Sequence, residues 1–180
     1  MNMREKGTAG KIIEKYGYEY KWLDADDVQV RQWVRFKCMF GCPSYGDKAT
    51  CPPAVPSIAE CREFFSEYHH IAVLKIPAKL AEPEEHVKWS RAEHLKLYEL
   101  EREVYQAGYS QAFLLTMDKC HLCDECPGTR ETCTGQGKSR PAPEALGVDV
   151  FAAVEAAGFK REKIEDYTKG YYRYAFLLVY

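Results

Sequence analysis

Gln-Ala-Phe-Leu-Leu-Thr-Met-Asp-Lys-Cys-His-Leu-Cys-Asp-Glu-Cys, residues 111–126, joins an apolar strand to a cluster of thiols within sixteen positions. Gln111 to Met117 is a short apolar run of the kind that forms a buried strand. It leads directly into Cys120, Cys123 and Cys126, with Cys133 following. The rest of the chain repeats this interleaving of strand, cysteine-rich loop and helix.

Upstream, Gly108 suits the C′ position of a long helix whose first turn takes Pro83 and a crowd of acidic residues. Before that helix, Ile71 to Ile76 reads as another buried strand. Ser57-Ile-Ala-Glu60 is a capping-box signature that predicts a helix from Ser57 to about Tyr68. Ala9 to Tyr16 reads as a short helix stopped by Gly17. Tyr18, Tyr20 and Trp22 alternate with polar residues as a strand does, and Asp24 to Asp27 reads as a turn. Val28, Val30, Gln32, Val34 and Phe36 alternate in turn with Gln29, Arg31, Trp33, Arg35 and Lys37. This predicts a hairpin that delivers the chain to Cys38. Residues 38–56 hold four prolines, two glycines and three cysteines, and are expected to be loop. Downstream, Asp149 is placed to N-cap a helix through Ala157, and Tyr174 to Tyr180 reads as a last strand. The order points to an α/β or α+β fold, a mixed sheet flanked by helices with two cysteine-rich metal-binding loops. A chain of 180 residues fits one domain, 1–180, and buries roughly 70% of its unfolded surface, enough for a core of its own.

The chemistry lies in the thiols. Cys120, Cys123, Cys126 and Cys133 follow the spacing C-x2-C-x2-C-x6-C. Three thiols two residues apart can converge on one centre from a single curled loop. An iron–sulfur cluster presents several irons to such a loop, and the bacterial ferredoxin run opens with the same triplet. Here the fourth cysteine is more distant, and the proline, Pro127, follows the third. One zinc ion more commonly takes two C-x2-C pairs or a mix of cysteine and histidine, and the middle cysteine of a back-to-back triplet crowds its neighbours. The expected cofactor is therefore iron–sulfur, one or two [4Fe-4S] clusters, with zinc as the alternative.

A second set, Cys38, Cys42 and Cys51, follows C-x3-C-x8-C within a stretch stiffened by prolines. It can be a second cluster site with Cys61 as fourth ligand, a cluster whose fourth iron is open to substrate, or a set only partly used. Cys61 falls inside a predicted amphipathic helix, where cysteine commonly serves as a small buried hydrophobe. His121 reads as a loop residue that could become a ligand if the metal were zinc. His69, His70, His86 and His94 read as structural or surface residues. Lys138, Ser139 and Arg140 follow Cys133 and are candidates to offer donors and positive charge to an anionic cluster. Gly137-Lys138-Ser139 is not a nucleotide loop, because position 132, where the first glycine belongs, is Thr132.

Twenty-five basic and 27 acidic residues leave a net charge of −2, which offers no field for nucleic acid. No apolar stretch is long enough to span a bilayer, and Met1 to Lys11 lacks a signal-peptide core. A cytoplasmic location is expected, where eight cysteines imply metal or redox chemistry rather than disulfides.

At its cysteine motifs the sequence resembles a family of predicted cysteine-rich metal-binding proteins, a prokaryotic domain of unknown function. The matching elements are Val34-Arg-Phe-Lys-Cys38, Gly41-Cys42-Pro43, Tyr45-Gly46, Cys51-Pro52-Pro53, then Cys120, Cys123, Cys126, Cys133, Arg140-Pro141 and Ala145-Leu-Gly147-Val-Asp149. The resemblance implies metal binding by Cys38, Cys42, Cys51, Cys120, Cys123, Cys126 and Cys133, and leaves Cys61 outside the pattern. It supplies no reaction. The expected function is electron transfer, alone or to a redox partner protein. An enzyme with an open iron site and a zinc-bearing structural or adaptor protein are the alternatives.

Overall fold

Ile71-Ala-Val-Leu-Lys-Ile76 lies at the centre of the molecule. The computed structural model describes residues 3–80, 82–161, 168 and 170–180. Its helices are α1 (Met3–Lys15), α2 (Gln32–Gly41), α3 (Ile58–Ser66), α4 (Glu85–Gln106) and α5 (Val150–Ala156), and its strands β1 (Glu19–Asp24), β2 (His70–Ala78), β3 (Phe113–Leu115) and β4 (Tyr171–Leu178). One sheet of order β1-β2-β4-β3 results.

The sheet is covered on both faces. Ile71, Val73, Leu115, Phe176 and Leu178 face Ile58, Cys61 and Phe65 of α3 and Ala153 and Val154 of α5. Ala72, Leu74, Ile76, Leu114, Ala175 and Leu177 face Ala9, Ile12 and Ile13 of α1 and Leu97, Leu100 and Val104 of α4. Two-sided burial explains why β2 is a continuous apolar run without alternation. Each fully buried aliphatic side chain contributes about 1.5–3 kcal/mol, so the sheet is the energetic centre of the fold.

Of the two expected fold classes, α+β is the one observed. The sheet is not mixed, since all three strand pairings are antiparallel. β2 and β3 do run in the same direction, but β4, the last strand, inserts between them and makes every neighbour antiparallel. The first strand of the predicted hairpin is present as β1, but its second strand, over 28–37, is corrected. Val30 makes a single bridge to Val148, and the chain then enters α2 at Gln32. Alternating aromatic and β-branched residues suggested a strand, yet the helix satisfies them through partners four residues apart. Phe36 and Phe40 rings lie 5.8 Å apart, and Lys37 sits 4.9 Å over Trp33. Arg35 then ties the helix down by donating to the carbonyls of Pro56 at 3.0 Å and Ala145 at 2.9 Å. Cys38 accordingly lies on a helix rather than in a loop.

Local signals elsewhere agree with the structure. Ser57 and Glu60 form the reciprocal capping box, Asp149 accepts from the Ala152 N–H, and Gly108 ends α4 with φ of +102°. Gly147 has φ of +82° and lies against Ile58 and the carbonyl of Arg31, so it suits glycine on two counts. Its own carbonyl accepts from Arg31 N–H at 2.8 Å. The segment 145–149 is thus the seat on which α2 rests. No helix among the described residues is long and apolar enough to cross a membrane.

Candidate metal centre

The last residue of β3, Leu115, leads through Thr116 into the second cysteine segment. Thr116 N–H donates to Pro141 O at 2.9 Å, and its hydroxyl donates to Asp118 O at 3.0 Å. Both ends of the loop are therefore pinned at the sheet edge. From the other side, Arg91 of α4 donates to His121 O at 2.6 Å and to Asp124 at 2.5 Å. Held this way, Cys120, Cys123, Cys126 and Cys133 line one small cavity together with Thr50, Leu122 and Ser139. All four are half-buried.

Each of these sulfurs has a polar neighbour. The Ala49 N–H points at Cys126 Sγ at 3.5 Å. Thr134 Oγ1 is 3.4 Å from Cys123 Sγ. Cys133 Sγ has Ser139 Oγ at 3.7 Å and the Arg130 guanidinium at 3.9 Å. Burial pushes the Cys120 thiol up, with the Leu122 backbone acting against it. Donors on thiolate sulfur stabilise negative charge there, which is how proteins tune cysteine-bound metals.

Of the three residues expected to serve this purpose after Cys133, only Ser139 reaches a sulfur. Arg140 is spent on Glu101 of α4, a buried carboxylate that it meets at 2.8 Å. Lys138 contributes its carbonyl, which accepts from the buried His94 Nε2 at 3.0 Å. Arg130, which sequence reasoning passed over, supplies the cation instead, donating to Ser139 Oγ at 2.6 Å.

The first segment is built differently. C-x3-C is one helical turn, so Cys38 on α2 and Cys42 at its C-cap lie on successive turns, with Cys42 N–H donating to Cys38 O at 3.3 Å. Cys42 is exposed. Cys38 Sγ lies 3.9 Å from Glu144 O, on the same seat that holds Arg35. Burial, reinforced by Cys42 and Cys38, raises the Cys51 thiol to about 11. Burial likewise raises Cys38.

The two segments touch. Cys51 is close enough to Cys120 for their charges to interact, Ala49 reaches Cys126, and Lys119 donates to Ser44. Seven cysteines thus collect on one side of the molecule. Cys61 does not join them. It is 1% exposed in the core beneath the sheet, with Sγ 3.6 Å from Pro56 O, the small buried hydrophobe that its helical position suggested.

A larger cavity of about 450 Å³ adjoins the cysteine cavity and shares Ala49, Thr50 and Ser139 with it. Phe64, Phe113 and Arg130 also line it. Sequence reasoning missed it because its walls come from five separate segments.

A second group of donors lies next to Cys120. One ligand atom each from His86, Asp118 and His121 falls within 4.8 Å of the others. Among the described residues no other three histidine, cysteine or carboxylate side chains come this close. His86 stands at the start of α4, 32 residues before Asp118, so no local spacing could have marked the pair.

Fold and site together define a cysteine-rich α+β metal-binding protein. The chain belongs to the family described as predicted metal-binding proteins (DUF2284), whose model matches residues 21–179. No curated protein matches the chain, and no solved structure does.

Proposed function

We propose that this protein carries iron–sulfur clusters and transfers electrons. Cys120, Cys123, Cys126 and Cys133 would hold one [4Fe-4S] cluster, and Cys38, Cys42 and Cys51 a second or shared centre. The observation that carries this reading is the set of four half-buried thiols around one cavity, each with a polar neighbour. Their spacing supports it. The back-to-back C-x2-C-x2-C triplet suits a cluster better than one tetrahedral zinc, which more commonly takes two C-x2-C pairs or a mix of cysteine and histidine. A cluster places each thiolate on a different iron.

In this reading the chain's part is positional and electrostatic. The loop between β3 and the segment 143–146 fixes four thiolates, Ser139 and Arg130 offset their charge, and Leu122 and Pro127 exclude water. A bound cluster supplies one-electron redox chemistry. The exposed Cys42, flanked by exposed Phe40 and Met39, gives the first centre an open face toward a redox partner.

Iron, acid-labile sulfide and zinc in protein purified without air, together with a visible spectrum, test the proposal. About four or eight irons with matching sulfide are expected. Zinc without sulfide would overturn it and leave a structural or adaptor protein.

The cavity of about 450 Å³ beside the cysteines favours one second reading, an enzyme that brings a small substrate to an open iron. It predicts that candidate substrates perturb the paramagnetic resonance of the reduced protein. A spectrum indifferent to them, with every iron bound by cysteine, excludes it.

A further inference from the structure

We propose that His86, Asp118 and His121 form a mononuclear site for a divalent first-row transition-metal ion, distinct from the cysteine centre. Two imidazoles and one carboxylate are the donor set of open zinc and non-haem iron sites, in which three protein ligands leave a position for water or substrate.

Burial supplies the first argument. His121 is 7% exposed, and its Nε2 has no hydrogen-bond partner. A buried polar atom left unpaired costs about 1–3 kcal/mol, so such an atom in a site of this composition points to an absent ligand. Orientation supplies the second. His86 Nε2 meets Asp118 Oδ2 directly, and on the far side of its ring Nδ1 faces the Tyr171 hydroxyl at 3.4 Å. Asp118 turns its other oxygen to the Lys119 N–H at 2.8 Å. Trp89, one turn further along α4, packs its ring 5.7 Å from that of His86. His86 and Asp118 are thus each held from behind by an outer partner, as metal ligands commonly are.

Geometry supplies the third. An ion bound at about 2.0–2.1 Å brings tetrahedral ligand atoms to about 3.4 Å. The three atoms lie within 4.8 Å, so the widest pair must close by about 1.4 Å at most, while His86 and Asp118, in direct contact, must part to admit the ion; both shifts are within reach of small side-chain rotations. The His86 and His121 rings, 6.0 Å apart and 87° to one another, already converge from two elements. Arg173 faces Asp118, and Lys119 and Lys48 face His121. These cations oppose a divalent ion and place its affinity below that of an all-carboxylate site. They also favour an anionic ligand at its open position.

The site uses no cysteine, so it stands whatever metal the thiols hold. The test uses full-length protein purified without air, its cysteine-bound metal in place, titrated with Co²⁺. One further equivalent is expected to bind, with the weak visible bands of nitrogen and oxygen ligation and no thiolate-to-cobalt charge transfer. It should be lost in His121→Gln and equally in His86→Gln, whose ring is nearer the surface, while the cysteine-bound iron or zinc is unchanged. Failure to bind an additional equivalent would overturn the proposal. So would an equivalent that survives both histidine substitutions or carries thiolate charge transfer.

Discussion

The two cysteine segments reach the same side of the molecule by opposite means. The second, 120–133, is a loop wound around a cavity and held at both ends by the sheet edge and by Arg91. Its sulfurs are half-buried and each has a polar neighbour. The first, 38–51, begins on a helix and presents Cys42 to solvent, and burial raises its half-buried Cys38 and Cys51 thiols, Cys51 to about 11. In the proposed reading metal uptake displaces protons from both segments: burial raises Cys120 in the second as it raises Cys38 and Cys51 in the first, where Arg35 and Lys119 act against it.

Exchanging one ligand in each segment gives the largest effects and tests the comparison directly. Cys123→Ser is expected to remove the iron held at the second segment, roughly four irons with their visible absorption. Cys42→Ser should remove only what the first segment holds. Iron analysis and absorption spectra of the two variants check this, and equal loss in both would show that the seven cysteines serve one centre.

A smaller effect is expected when a sulfur's neighbour is changed and the ligand is kept. Ser139→Ala removes the hydroxyl 3.7 Å from Cys133 Sγ and also frees Arg130 from its partner. Loss of one such hydrogen bond is worth roughly 1 kcal/mol, or about 40 mV for a one-electron couple. Its removal destabilises the more negative reduced state, so the midpoint potential falls. Redox titration measures it, and an unchanged potential would mean that the second segment's donors do not tune the centre.

The smallest effect on metal content belongs to Cys61→Ser. This thiol is buried among Phe65, Ile71 and Val73 on one face of the sheet. Iron content should stay the same, while the buried hydroxyl costs about 1–2 kcal/mol. Thermal unfolding should show a midpoint a few degrees lower. Loss of iron would return Cys61 to the ligand set.

Features governed by near neighbours were legible in the sequence. The capping box at Ser57, the cap at Asp149 and the stop at Gly108 depend on hydrogen bonds or dihedral angles within three or four residues. The strand at 71–76 is apolar at five of six positions, whatever lies on either side of it. The close spacing of Cys120, Cys123 and Cys126 forces those thiols into one neighbourhood, and the distant Cys133 lines the same cavity. The run 28–37 was misread because its alternation fits a strand and its i, i+4 pairs fit a helix equally well. Arg35, reaching carbonyls 21 and 110 residues away, helps hold it as a helix.

By itself, then, the sequence determined where helices are capped, which strand runs are buried, and, through its spaced cysteine motifs, membership of a predicted metal-binding family. Only the tertiary structure decided the rest. It placed β4 between β2 and β3, set Cys51 beside Cys120, gave Arg140 to Glu101 and Arg130 to Cys133, and brought His86 to Asp118 and His121. The reason is common to all of these. Each is a contact between residues far apart in the chain, whose entropic cost of approach is met by burial of the sheet's two faces and not by any local preference of the residues that meet.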